Sequence, residues 1–429
     1  MRGERAKHSR HGVYRDAFAD WLTQVGAKAT SLPELIDGFC RFLNAHGYRI
    51  RRCNLATDTV HPQMTGMRHV WFDRATDPGP INPAVVVARR QYNLGPALID
   101  EVFFNAGSQQ NPQYLASPFY KVEQQGELYD TVRRAGSEQP FPVFRDLAEI
   151  GCTAYFGLKL DSFAGMLQKI GLATARRGGL SNVQRDDLRW SLLLLTLHIN
   201  TLVEFSIKNT LARAYIGRDP GRRVCEGMIA LGRLVTLDAA IWFSDLRGFT
   251  VISEKLSPEQ LIESLNSYFA AVVEPIYEHG GEVLKYIGDA ILAIFPVADL
   301  GSPAAACRAA LASAQAADAN LLQVNAERCE KSMLRLEHGV GLHFGPVRYG
   351  NIGSSERLDF TVIGREVNVA SRIEGMTKAL GEPLLCSDDF RDAAGVDLRR
   401  VGEFPLKGVS ATMPLHAPGH RPPDATREQ

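Results

Sequence analysis

Thr236-Leu237-Asp238-Ala239-Ala240-Ile241-Trp242-Phe243 is a largely apolar run that reads as a buried strand, and Ser244-Asp245-Leu246-Arg247-Gly248-Phe249-Thr250 follows it directly. Working outward, Ser257-Pro258-Glu259-Gln260 opens a helix with a capping box and a proline at its first position. Leu261, Leu265, Tyr268, Phe269, Val272 and Ile276 then recur at helical spacing as far as His279-Gly280-Gly281. A hairpin pattern comes next: Glu282-Val283-Leu284-Lys285-Tyr286-Ile287, a Gly288-Asp289 turn, and Ala290-Ile291-Leu292-Ala293-Ile294-Phe295. Strand, helix and hairpin in that order place the first strand beside the hairpin in one antiparallel sheet. Asp245 leaves the end of that strand and Asp289 occupies the hairpin tip, so both project from one edge of the sheet. Two convergent aspartates beside a glycine turn suit a divalent cation, because Mg²⁺ takes one or two carboxylates together with phosphate oxygens. Taken singly, Asp289 reads as a turn former and Asp245 as a strand-end cap.

The chain has 429 residues, 48 Lys+Arg against 48 Asp+Glu, and 45% hydrophobic residues. At roughly 100–200 residues per domain, that length predicts two or three domains with sizeable cores. A net charge of zero removes the long-range attraction by which basic proteins hold nucleic acid, so no nucleic-acid partner is expected. Seven scattered cysteines without a CxxC pair read as reduced cytosolic thiols. The most apolar stretch, Leu192 to Phe205, contains His198, Asn200 and Glu204 and falls short of the roughly 20 apolar residues a membrane span needs. Arg2, Arg5, Lys7 and Arg10 are not followed by an apolar signal core, which predicts a partly flexible N-terminus over residues 1–30 and a cytoplasmic protein.

Ile216-Gly217-Arg218-Asp219-Pro220-Gly221 marks the main boundary, where a helix stops and a turn begins. Before it a long helix opens at Ser181 or Asn182, with Leu188, Leu192, Leu195, Ile199 and Leu202 at three- and four-residue steps. That stripe serves equally as core or as the seam of a helix pair. Residues 31–180 read as mixed α/β: a helix over Leu32 to Asn44, a strand over Tyr48 to Cys53, and strands over Thr153 to Leu160 and Met166 to Ala175. Arg177-Gly178-Gly179-Leu180-Ser181 then leads into the connecting helix and linker, residues 181–233. Strands, a GG-x-S loop and an output helix resemble the GAF-like sensor domains, which implies a small-molecule ligand. His61-Pro62, Cys152 and Tyr155 are candidate pocket residues, though single residues of this kind are more often loop and core.

Phe243 to Thr250, Lys285-Tyr286-Ile287-Gly288-Asp289-Ala290 and Val367-Asn368-Val369-Ala370-Ser371-Arg372 together resemble the class III nucleotidyl cyclases in order and separation. The resemblance covers residues 234–416, leaving 417–429 as a flexible tail. It implies an α/β (α+β) chain whose C-terminal part is a ferredoxin-like domain, working as a head-to-tail homodimer with active sites at the interface. Asp245 and Asp289, with the carbonyl of Leu246, match the positions that hold two Mg²⁺ or Mn²⁺ ions against a triphosphate. The backbone at Phe249 and Thr250 matches the phosphate-binding turn, and Gly248 permits close approach.

In that family Lys at position 285 selects adenine, since an ammonium donates to adenine N1 but opposes the N1–H of guanine. Alternation would place Val283, Lys285 and Ile287 on one face of the strand, where a buried unpaired Lys is costly; a solvent-exposed face is the other reading. Thr361 occupies the second purine-selecting position, where many adenylyl cyclases have Asp, and so resembles a bacterial subgroup with Thr. Asn368 and Arg372, four apart on one helix face, match the residues that orient the ribose and stabilise charge on the α-phosphate. Lys407, in Leu406-Lys407-Gly408, matches a triphosphate-binding lysine, while His338 and His343 fall outside the set and read as structural. The implied activity is adenylyl cyclisation of ATP, with a guanylyl cyclase or a catalytically silent nucleotide-binding regulator as alternatives.

Overall fold

The computed structural model describes residues 2–60, 64–73, 100–104, 110–162, 166–230, 232, 234–409 and 411–419. His61 and Pro62 lie outside the described residues. The chain divides into two compact units, Met1–Leu211 and Ala212–Gln429.

The first unit contains α1 (Arg2–Gln24), α2 (Leu32–Ala45), β1 (Ile50–Asp58), β2 (Gly66–Phe72), β3 (Asp100–Phe104), α3 (Pro112–Leu115) and α4 (Pro118–Gln125). It continues with β4 (Glu127–Thr131), α5 (Val143–Glu149), β5 (Ala154–Leu160), β6 (Gln168–Thr174) and the start of α6 (Asn182–Ile216). The six strands pair antiparallel in the order β3-β2-β1-β6-β5-β4. Cys53, Leu55 and Leu172 from the sheet pack with Phe39 and Leu43 of α2 and with Leu188, Leu192, Leu195 and Ile199 of α6. The leucine stripe of α6 is therefore core along this stretch.

One feature differs from the sequence pattern, and another takes the core alternative it left open. Where the N-terminal charges predict a flexible segment, α1 forms, and its Tyr14 and Phe18 are buried in the same core. Tyr14 Oη lies 3.0 Å from Ser191 Oγ on α6. Apolar side chains at helical spacing outweigh the basic residues around them. Cys152 and Tyr155, offered above as pocket residues, pack with Phe141, Phe144 and Leu147 in a second, smaller core, and burial pushes the Cys152 thiol up to about 12. Among the described residues, α6 is the one helix long and apolar enough, by length and composition alone, to cross a membrane. Its Asp187, Ser191, Thr196 and Asn200 are buried against its own unit.

The second unit opens with α7 (Arg218–Cys225), a short helix where Asp-Pro and Pro-Gly predict a turn; Pro220 sits in its first turn, where a missing N–H costs no helical bond. β7 (Leu234–Leu246), α8 (Phe249–Lys255), α9 (Pro258–Glu278), β8 (Glu282–Ile287), β9 (Ala290–Pro296), α10 (Val297–Leu300), α11 (Pro303–Glu330) and β10 (His338–Gly353) follow. The unit ends with β11 (Leu358–Ile363), α12 (Arg365–Leu380), β12 (Leu384–Ser387), α13 (Asp388–Ala394), β13 (Arg399–Pro405) and β14 (Thr412–Ala417). The sheet order is β13-β14-β12-β10-β7-β9-β8, with β11 paired to β10. Chain order β7-α9-β8-β9-α11-β10 and sheet order β10-β7-β9-β8 make this block ferredoxin-like, as expected.

β7 is covered on both faces. Ala240 and Trp242 pack with Tyr268, Val272 and Ile276 of α9 and with Ala306, Ala310 and Ala314 of α11. Ala239 and Ile241 pack on the opposite side with Leu284, Leu292 and Ala370 of α12. The capping box at Ser257 and Gln260 forms as read. α12 approaches β10 closely because Gly339 and Gly341 have no side chains: a Cβ on Gly341 would meet the carbonyl of Ala370 at 2.5 Å. If α1 is part of the first core, Phe18→Ala should lower stability by about 3–5 kcal/mol, the usual cost of emptying a buried phenylalanine site. Urea denaturation of wild type and variant checks this, and a shift under about 0.5 kcal/mol, typical of surface positions, contradicts it.

Candidate active site

The end of β7 is held by its buried neighbours. Trp242 Nε1 donates to Ser244 Oγ at 2.9 Å, and Tyr268 Oη on α9 donates to the same oxygen at 3.2 Å. With Ser244 tied to α9, strand alternation turns Asp245 to the opposite face, the one that α12 crosses. Leu246 N–H donates to Asp245 Oδ1 at 3.0 Å. The β8–β9 hairpin turns at Gly288, whose φ of 67° favours glycine, and it brings Asp289 beside Asp245. Partial burial and the close approach of the Asp245 carboxylate push the Asp289 carboxyl up to about 7, against the N–H groups of Asp289 and Leu246.

A carboxyl kept protonated by burial and a neighbouring carboxylate is a fit for a hard divalent cation, which would replace that proton. Among the described residues no group of three or more His, Cys, Asp or Glu side chains is arranged as a metal site. A cation here would thus have two carboxylates and take its other oxygens from backbone, water or substrate, the usual way of holding Mg²⁺.

Glu374 was missed in the sequence reading. A Cβ on Gly339 would lie 2.8 Å from Glu374 Oε1, and Gly339 stands directly opposite Asp245 in the β7–β10 ladder. The Glu374 carboxyl therefore sits beside Asp245. Burial and the Asp245 charge push it up to about 7, with Arg247 opposing and Asp289 reinforcing. Its spacing from Ala370 and Thr377 on α12 puts it on the sheet-facing side, a signal present in the sequence.

The other candidates are spread over the unit. Phe249 and Thr250 begin α8 just after Gly248, whose φ is 70°. Lys285 does not alternate with Val283: the register shifts between them, so Val283 and Leu284 are both buried and Lys285, Tyr286 and Ile287 are exposed. Lys285 Nζ is ion-paired with Asp359 on β11. Thr361 is buried on the same strand, two residues on. Asn368 and Arg372 are exposed on α12, away from the buried Val369, Ala370 and Ile373. Lys407 is exposed in the turn between β13 and β14, at the sheet edge opposite β8. No described hydrogen bond or ion pair joins Asn368, Arg372 or Lys407 to Asp245 or Asp289. His343 is buried inside β10, 2.7 Å from both Ser387 Oγ and Glu366 Oε2, and His338 lies 2.9 Å from Asp318. Both histidines brace the fold; the first anchors the start of α12.

Residues 236–410 match the adenylate and guanylate cyclase catalytic domain. An adenylate cyclase of Anabaena cylindrica is 40% identical over 160 residues, 37% of this chain and 31% of the relative. Adenylate cyclase 1 of Rhizobium meliloti (strain 1021) is 34% identical over 180 residues, 41% of this chain and 26% of the relative. The chain thus spans about a third or less of the length of these curated relatives. Among solved structures, the adenylyl cyclase CyaB from P. aeruginosa is 26% identical with a TM-score of 0.41, covering 45% of this chain and all of its own.

The raised Asp289 carboxyl has a measurable consequence. Below about pH 4 it is protonated in folded and unfolded chains alike, so its penalty is absent; between about 4 and 7 the unfolded chain has lost the proton and the folded chain keeps it, so stability falls across that range and levels off above it. A cation must displace the retained proton at pH 5.5 but not at pH 8, so Mn²⁺ should raise the melting temperature more at pH 8 than at pH 5.5, and Asp289→Asn should shrink that difference. Thermal unfolding at both pH values, with and without Mn²⁺, tests it; an equal increment at both counts against a retained proton on Asp289.

Proposed function

We propose that this protein is an adenylyl cyclase, forming 3′,5′-cyclic AMP and pyrophosphate from ATP. The Asp245–Asp289 pair carries the reading, because two carboxyls brought side by side at the end of β7 and the β8–β9 turn suit a cation-bound triphosphate. Asp245 and Asp289, with the Leu246 carbonyl, would hold two Mg²⁺ or Mn²⁺ ions, which supply Lewis acidity at the triphosphate and the ribose 3′-hydroxyl. The amides at Phe249 and Thr250 and the Lys407 ammonium bind phosphate oxygens. Lys285 donates to adenine N1 and Thr361 accepts from the exocyclic amino group. Asn368 orients the ribose. The fork of Arg372 pairs with the α-phosphate as the 3′-oxygen bonds to phosphorus and the bond to pyrophosphate breaks.

The working form is a homodimer. Asn368 and Arg372 are exposed and unbonded to the aspartate pair of their own chain, which supports their serving the site of a second copy. The N-terminal unit is a GAF-like sensor that regulates turnover through a small-molecule ligand, a reading supported by its antiparallel sheet, the Gly178-Gly179 turn and α6 after it.

Purified protein incubated with ATP or GTP and Mn²⁺ or Mg²⁺ should yield cyclic AMP, with ATP favoured by at least roughly tenfold in kcat/KM. Cyclic GMP as the main product would make the enzyme a guanylyl cyclase, and no product would leave a silent regulator. Asp245→Ala should cost about 10²–10³-fold or more. Mixing inactive Asp245→Ala with inactive Arg372→Ala chains should restore up to about a quarter of wild-type activity, the fraction of intact sites expected for random twofold pairing. No recovery after demonstrated subunit exchange would place both residues in one chain's site.

A further inference from the structure

The sheet of the first unit has two faces with different fillings. Cys53, Leu55 and Leu172 point one way, into the core with α2 and α6. Alternation sends Arg52 and Asn54 of β1, Arg68 of β2 and Gly171 of β6 to the other face. The register makes them neighbours: Asn54 stands opposite Gly171, and Ala56, next to Asn54 on that face, stands opposite Arg68. Tyr155 of β5 completes the group. Its ring belongs to the smaller core, and a side chain on Gly171 would run into its hydroxyl. That hydroxyl therefore lies over Gly171, beside Asn54.

This patch holds polar groups that the fold leaves unanswered. Arg68 Nε and Asn54 Oδ1 are both buried with no hydrogen-bond partner among the described residues. Burial, and then the adjacent Arg52 charge, lower the Arg68 pKa, with Tyr155 opposing, so two guanidinium groups and a phenol meet here. Lys169 shows how the same face treats a cation that serves the fold. It stands opposite Ala56 on the side away from Arg68, and its ammonium donates to Glu123 Oε2 at 2.8 Å and to Tyr114 Oη at 2.5 Å. Among the described residues Arg68 has no carboxylate of this kind. Instead its guanidinium rests over the Phe104 ring at 5.8 Å, and that of Arg52 over Phe72 at 5.2 Å. Ring faces steady the two cations and leave N–H donors for another partner.

A cation drawn out of water without an anion is costly, and a bound anion removes the cost. Arginine forks match the oxygens of carboxylates and phosphates, while Asn54 Oδ1 calls for a donor. We infer that this face of the N-terminal unit is a binding site for a small hydroxylated anion, a hydroxy acid or a phosphate. Its oxygens pair with Arg52 and Arg68, and its hydroxyl donates to Asn54. The inference rests on the sensor reading of that unit and names the class of ligand it takes.

Calorimetric titration of the full chain with malate and with inorganic phosphate tests it, at constant ionic strength in chloride and without divalent cation. At least one of the two should bind saturably, and which one binds tells carboxylate from phosphate. Arg68→Met should weaken that binding by about tenfold or more, as for loss of a hydrogen bond to a charged group. Arg68→Lys, which keeps the charge and loses the fork, should fall between. In anion-free buffer the unfolding midpoint of Arg68→Met should stay level or rise, because no ion pair is broken. Should Arg68→Met not fold, Arg68→Lys and Tyr155→Phe carry the comparison, and each should bind more weakly than wild type. Binding by neither anion overturns the inference. So does binding that these variants leave unchanged, which would place the anion elsewhere in the chain and make Arg68 a structural residue. Binding that leaves cyclic AMP formation unmoved would instead remove the sensor reading while the site stands.

Discussion

Two carboxyl groups are forced together where their charges oppose each other, and much of the C-terminal unit is arranged around that fact. Left to themselves, Asp245 and Asp289 would separate into water. They are prevented by what lies beneath them: Ser244 is tied to Trp242 and Tyr268, and β7 is pinned between helices on both faces. Each large apolar side chain buried there contributes about 1.5–3 kcal/mol, so the core outweighs the local repulsion many times over. Glu374 adds a third acidic group to the same corner, with Arg247 as opposing charge. The result is a corner of three acidic groups in a chain whose net charge is zero.

The elements around this corner were legible because each has a local physical cause. A nearly continuous apolar run marks β7, since both of its faces are covered, and Ser257 and Gln260 announce α9 by satisfying its first amides. Gly288 and Asp289 mark a tight turn wherever they occur between apolar strands. The shift between Val283 and Lys285 left no trace, because Val283 and Leu284 are both apolar and either register buries one of them. Asp359 was illegible for a related reason: its partner lies 74 positions away and the two strands share no ladder. In α1 the signal existed in Tyr14, Phe18, Trp21 and Leu22 at helical steps, but the surrounding charge suggested a tail.

Fold and proposed chemistry fall on different residues. Side chains that close the sheet, such as Trp242, Tyr268 and Ile294, are wholly buried, whereas Lys285, Asn368, Arg372 and Lys407 are exposed. The exposed set makes few contacts that the fold relies on, so it is free to be shaped by ligand recognition alone. Asp245, Asp289 and Glu374 are the exceptions, being half-buried and placed by the core.

The two glycines under α12 show how unevenly such a structure tolerates change. At Gly341 an added methyl group would strike the backbone of the helix itself, at Ala370 and Glu374, and no rotamer can relieve a clash with main chain. At Gly339 it would strike the side-chain ends of Thr377 and Glu374, which can swing aside. Alanine at position 341 would displace a helix and everything mounted on it. Alanine at position 339 would leave the helix in place and push an acidic side chain across the face where Asp245 stands. Two residues apart on one strand, the same mutation would be a mechanical injury in one case and an electrical one in the other.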